Sequence, residues 1–500
     1  MIITGEPPNK TPAGAQGQLP NDLRSNPPPP SYGTSQQYPR VTVLRPAYTA
    51  PPLAREYGVI TYRRSPGLRF FKAFIVAFLV WILLTSLVES FVVVINWSHK
   101  GWPWIDDRWG YDIPVGLTLG DCIQGGRWTN RPVPWSAAND SADAGILSTL
   151  PKSFPFSSET TFELPVTSES LFLISRGHLS SGTVDLVTSR TQAPHSVSVH
   201  VVSNYFREDI RDLTKVCWLE RGVRENGVGI FTPKWRNGGN HHGMGEQLYF
   251  ETTITLPEVS GRNPLPIKNF ETDVANTFHR IADLNTKVKF HSISLKGSNA
   301  PIHAQSLAAA VSSIITSNGE IKGTFNTSSS LVLSTSNGKI EVGVGLESSG
   351  SETNFDAHTS NGAIDADISL ISTSSSGGGV FDVTTTTSNS DLNIDFPASP
   401  VNSHLEVLAR TSNGVANIYL NPAYEGRFSL ATSSVFRTSV HEHKEVVDPS
   451  GRGRQRQLQY KQVGRGTLEG TVQWQGPKGE GKPNGAVVVR TSNSPISLDL

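Results

Sequence analysis

Downstream of about residue 160, apolar residues fall on every second position. Ile340, Val342 and Val344 alternate with polar or small neighbours, as do Ile364, Ala366 and Ile368, then Leu392, Ile394 and Phe396. Leu405, Val407 and Ala409 repeat the pattern. A period of two sends one face of each segment inward and the other outward, which predicts half-buried strands. Leu171 to Ile174, Val197 to Val201 and Ala486 to Val489 read as further strands, and no helical periodicity persists there for more than about ten residues.

The strands are punctuated by a recurring phrase. Thr-Ser-Asn-Gly followed by any residue and Ile begins at Thr316, Thr335 and Thr359, and variants begin at Thr387, Thr411 and Thr491. The first five starts are 19, 24, 28 and 24 residues apart, and repetition on that scale is the mark of stacked arrays. Asn-Gly tolerates positive φ and so predicts a tight turn, at Asn318-Gly319, Asn337-Gly338, Asn361-Gly362 and Asn413-Gly414. One strand–corner–strand unit cannot bury its own apolar face, but stacked units share a continuous core. A mainly β fold with a β-solenoid-like repeat domain over residues 160–500 is therefore expected, with a β-sandwich of hairpins as the alternative. The extra stretch from Ser374 to Gly379 lengthens one repeat, and the run from Gly451 to Gln457 reads as a mobile polar loop.

The amino-terminal part has a different character. Residues 1–66 hold 13 of the 33 prolines and no sustained apolar period, so a disordered tail is expected. From Ala73 to Val88 there is no charge, and after Glu89 and Ser90 the apolar run continues to Ile95. As a helix, residues 73–95 would extend about 34 Å, against a hydrocarbon core of about 30 Å. This predicts one transmembrane helix within residues 70–95, followed by an irregular membrane-proximal linker over 96–159. Residues 1–72 carry nine Lys or Arg against three Asp or Glu, so the positive-inside rule predicts a cytoplasmic tail and an extracytoplasmic carboxyl-terminal domain. A cleaved signal peptide would have a shorter apolar run nearer the start. The expected location is the plasma membrane or secretory pathway, with the lipid bilayer as a partner.

Composition narrows the function. Lys+Arg and Asp+Glu both total 43, which argues against nucleic-acid binding by a basic face. Two cysteines cannot build a disulfide-rich scaffold or a thiolate zinc site. Cys122 and Cys217 both fall on the oxidising side of the expected topology, which admits a disulfide between them, with two unpaired buried thiols as the alternative. Glycosylation sequons stand at Asn139 and Asn326; that at Asn96 abuts the expected span. The clusters His241-His242 and His441-Glu442-His443 have metal-ligand residue types but not the usual spacing, and neither a nucleophile elbow nor a phosphate-binding loop appears. No cofactor or catalytic residue is expected.

Two resemblances add to this reading. Pro29-Pro30-Ser31-Tyr32 resembles the Pro-Pro-x-Tyr ligand of WW domains, a preformed polyproline segment with a Tyr anchor; it implies a WW-domain ubiquitin ligase or adaptor as a partner of Pro29, Pro30 and Tyr32. The Thr-Ser-Asn-Gly-x-Ile phrase, over residues 160–500, resembles the adhesin-like repeats of bacterial and fungal surface proteins. With the proline-rich tail and single span, the whole is similar to membrane-anchored fungal proteins of unknown function. That likeness implies a stack of β-rungs, no known catalytic residues, and contact with cell-wall glycan or another surface protein. Three functional classes follow: a non-catalytic structural or adhesion-like surface protein, a polysaccharide-active enzyme on a β-helix, and a trafficking adaptor working through the tail.

Overall fold

The computed structural model describes residues 104–106, 110–131, 154–234, 247–259, 263–374, 377–443, 446–476 and 484–500. The expected tail and apolar span lie outside them, and among the described residues no helix is long and apolar enough to cross a membrane. The fold is mainly β.

The alternating segments become parallel ladders. Strands leaving each corner, Ile340–Ser348, Ile364–Ser372, Leu392–Ala398 and Ala416–Tyr419, pair in sequence, with Ile340 opposite Ile364, Ile364 opposite Leu392 and Leu392 opposite Ala416. Strands returning to the next corner, Glu352–His358, Val380–Thr386 and His404–Arg410, form a second ladder through Phe355, Val383 and Val407. The copies therefore stack as rungs, each giving one strand to each of two sheets, with the core between them. The two 14-residue strands Ile302–Ile315 and Ile321–Ser334 run through both sheets and join them into one network. That network is open, since no pairing among the described strands closes it into a barrel. Antiparallel strands, which a sandwich of hairpins would use throughout, occur only towards the two ends.

The spacing of the repeats follows from this geometry. The 19-residue interval is one of the uninterrupted strands, and the 24- and 28-residue intervals add residues only at the bend opposite the corner. In the longest rung, Gly377, Gly378 and Gly379 turn that bend at φ of 74°, 80° and 107°, a region where a side chain is strained.

The corners differ from the expected turn. Gly319, Gly338, Gly362 and Gly414 are not among the positive-φ residues, and of the described non-glycines only Arg224 and Asn402 are. What excludes a side chain is the rung beneath. A Cβ on Gly338 would lie 1.8 Å from the carbonyl oxygen of Gly319, and one on Gly362 would lie 1.8 Å from that of Gly338. The preceding threonine is buried and fully used: Thr335 Oγ1 donates to the Gly319 carbonyl and accepts the Gly338 N–H, each at 3.1 Å. Thr359 repeats both contacts one rung on. The asparagines form a ladder. Asn276, Asn299, Asn318, Asn337, Asn361, Asn389, Asn413 and Asn493 each receive or pass on an Nδ2–H to Oδ1 bond of 2.5–2.8 Å. Two members, Asn276 and Asn299, belong to degenerate corners that the repeated phrase does not reveal.

Two expectations are corrected at the ends of the stack. Residues 96–159, expected as an irregular linker, include the strand Leu117–Ile123, which pairs with Lys215–Arg221. The run from Gly451 to Gln457, expected as a mobile loop, is anchored: Asp448 accepts backbone N–H groups of Ser450, Arg452 and Arg454, and Arg454 also binds Glu425 at 2.8 Å. From Gln455 it is a strand. The last copy of the phrase does not follow the chain to the end of the stack. Gly485–Arg490 inserts between His404–Arg410 and Gly426–Ala431, and Ile496–Asp499 inserts between Ala416–Tyr419 and Thr438–His441.

One core position breaks the apolar column. His279 is opposite Ile302 and 1% exposed, with Nε2 2.8 Å from Thr272 Oγ1. Burial pushes its pKa down to about 4.

Two outcomes follow. Replacing Gly338 with Ala should cost about 3 kcal/mol or more of stability, because the clash is with backbone that cannot turn aside. Asn337→Ala, which removes two exposed hydrogen bonds, should cost about 1 kcal/mol; denaturant midpoints of the two variants test the ranking. Below pH 6.5 the unfolded chain protonates His279 while the native chain does not until about pH 4, so stability should fall across that window as pH drops. The pair His279→Ile with Thr272→Val should flatten that part of the curve by about 1–3 kcal/mol, read from urea melts between pH 7 and 4.

Candidate binding surface

The structure distributes the residues singled out in the sequence rather than gathering them. Pro29, Pro30, Tyr32, Asn139 and the His241-His242 pair lie outside the described residues. Cys122 and Cys217 are register partners on neighbouring strands and are joined by a disulfide. Asn326 is half-buried within a strand, not on a turn. Its Nδ2 donates to Asn285 Oδ1 at 2.9 Å, and a Cβ on Gly345 would lie 2.1 Å from its Oδ1, so a glycan there would displace both contacts. His441 ends a short strand beside Ile496–Asp499. Among the described residues no group of His, Cys, Asp and Glu could hold a metal ion.

Surface charge is arranged by the ladders. A side chain on one rung faces its counterpart on the next at about 4.8 Å of backbone separation, so the sign of each neighbour matters. Along part of the stack cations face carboxylates, while Asp367 and Asp395, and Asp382 and Glu406, are like-signed register partners. Arg280 is opposite Asp185 and binds it at 2.7 Å; Lys322 is opposite Glu341 and binds it at 2.9 Å. Lys339 reaches both Glu341 and Asp365. Hydrogen bonds from Lys339 and then Lys322 hold the Glu341 carboxyl down to about 2.

Two concavities stand out. The first, about 210 Å³, is lined in part by Phe172, Arg176, Arg221, Glu271 and Asp273. Most of its charges are spent on one another: Arg221 holds Glu271 through two bonds of 2.9 and 3.0 Å and stacks on Phe172, and Arg176 holds Asp273. The second is a trough of about 550 Å³ across the outer face of the returning sheet, lined by Arg427, Ser429, Gln459, Lys461, Thr471 and Val488 among others. Phe428 and Leu430 are buried, so alternation turns Arg427 and Ser429 outward. The trough exists because Gly485–Arg490 was inserted and because the hairpin of Gln455–Gly464 and Thr467–Gln475 extends the sheet. No sequence signal marks it, since its strands are brought together from residues about 60 apart.

Residues 311–451 match the model of a family described as Domain of unknown function (DUF7330). No protein of curated function matches the chain. Among solved structures, a "putative cell adhesion protein" from Clostridium sporogenes ATCC 15579 aligns with 69% of this chain and 99% of its own, at 13% identity and a TM-score of 0.16. A "putative adhesin" from Parabacteroides merdae ATCC 43184 aligns with 52% and 88%, at 10% identity and a TM-score of 0.18. Superpositions this loose carry no argument about activity, and the match to the family lies within the stacked rungs.

Proposed function

We propose that the chain is a single-pass membrane protein whose stack of rungs is a non-catalytic, adhesion-type binding domain on the extracytoplasmic side. The observation that carries the reading is the Cys122–Cys217 disulfide. It ties the strand Leu117–Ile123 to the strand Lys215–Arg221, and such bonds persist in oxidising compartments. It supports the orientation given by the charge bias of residues 1–72. The stack then offers rigid outer faces whose polar side chains are held at fixed intervals by backbone ladders, which suits repeated weak contacts to a surface. The open trough, rather than an enclosed pocket with converging acid and base groups, favours binding over chemistry.

Protease added to sealed, cytoplasmic-side-out vesicles should remove the tail and leave residues 160–500 intact, with the disulfide seen as a mobility shift on reduction. Digestion of the carboxyl-terminal domain under those conditions would overturn the topology. Release of unsaturated sugars from pectin or alginate by the purified full chain would overturn the non-catalytic reading.

A further inference from the structure

Beside the trough two cations meet across the register. Arg410 and Arg490 are register partners on adjacent parallel strands, and both are exposed. Like charges placed directly opposite on a sheet repel. Arg427 sits on the next strand beyond Arg490, and Lys461 two strands further, on the same outer face. Among the described residues none of these four cations has an ion pair, whereas Arg280, Lys322 and Lys339 elsewhere in the stack bind carboxylates. The nearest acids on this face are Glu406, on Arg410's own strand and 3.2 Å from His404, its register partner Asp382 on the next strand, and Glu469, which is opposite Lys461 but makes no ion pair with it. The floor between the cations is small or apolar: Ala486, Val488 and Ser429.

We infer that this face binds an anionic polysaccharide, with the Arg410–Arg490 pair gripping one carboxylate or sulfate and Arg427 and Lys461 meeting further charges along the same polymer. An anion between two guanidinium groups converts their repulsion into charge-assisted hydrogen bonds. Arg427 is opposite Ala486, four residues along from Arg490, and Lys461 lies level with Val488, so at about 3.3 Å per residue and 4.8 Å per strand the cations stand about 12–14 Å apart, spread over the face. A linear polymer with repeated charges can reach cations spread in this way; a single small anion would use only one member of the set. The open, shallow form of the trough also admits a chain that enters and leaves. This inference rests on the adhesion-type reading and gives it a ligand class.

The test is binding of the full chain, in detergent, to immobilised polygalacturonate and to neutral dextran. Polygalacturonate should be preferred at least ten-fold at about 50 mM salt, and the preference should collapse near 500 mM as screening shortens. Arg410→Gln and Arg490→Gln should each weaken binding about ten-fold while melting no lower than the parent, because each also relieves a like-charge contact. Lys289→Gln, on an exposed strand of the same sheet several rungs away, should change nothing. Undiminished binding by both arginine variants would overturn the assignment of these residues. Equal binding to dextran, or stronger binding to polyglutamate than to polygalacturonate, would overturn the ligand class while leaving adhesion standing. Binding to none of the polymers, or to any cell-wall preparation, would count against adhesion itself.

Discussion

The distance between neighbouring rungs governs the rest of this fold. At about 4.8 Å, one corner sits directly on the next, and the carbonyl of Gly319 occupies the space a side chain on Gly338 would need. The buried threonine hydroxyl donates to the glycine carbonyl of the rung beneath, and the exposed asparagine amide donates to the asparagine Oδ1 there. Three of the four conserved-looking letters of the repeat thus answer to a neighbour that is 19 to 28 residues distant in the chain. Because every such bond runs along the stack, each rung stabilises two others.

Where the chain is free to vary follows from the same constraint. The corner is fixed by contact above and below, so length differences collect at the opposite bend, where the triplet Gly377 to Gly379 takes left-handed φ values. A larger excursion, from Leu420 to Asn484, is tolerated because its outer strands resume the same two ladders. Its cost is local anchoring. Arg454 joins Asp448 and Glu425, and Glu425 in turn accepts the Trp474 N–H at 3.1 Å.

The ladders also set the electrostatics of the surface. Register turns neighbouring rungs into charge partners, and along part of the stack that produces paired columns of the kind formed by Lys322 and Glu341. At the inserted rung the register instead brings Arg490 beside Arg410. A feature of charge recognition therefore arises from an unusual order of strands, not from a basic composition, and the chain as a whole remains neutral.

The sequence by itself determined the strands and their repetition, because period-two alternation and the phrase beginning at Thr316 are local properties of the chain. It also supplied the two cysteines that the fold joins. The reason for the corner glycines was not legible: Asn-Gly suggests a backbone conformation, whereas Gly338 and Gly362 answer to steric contact between rungs. The corners at Asn276 and Asn299 were hidden because Val274, Gly297 and Ala300 replace the expected letters, and only the continuous amide ladder identifies them. The order of the last rungs, and with it the trough, was decided by tertiary structure. Alternation says that Val487 and Val489 face a core, but which two strands they lie between depends on the free energy of completing both ladders at once, a quantity no local segment contains.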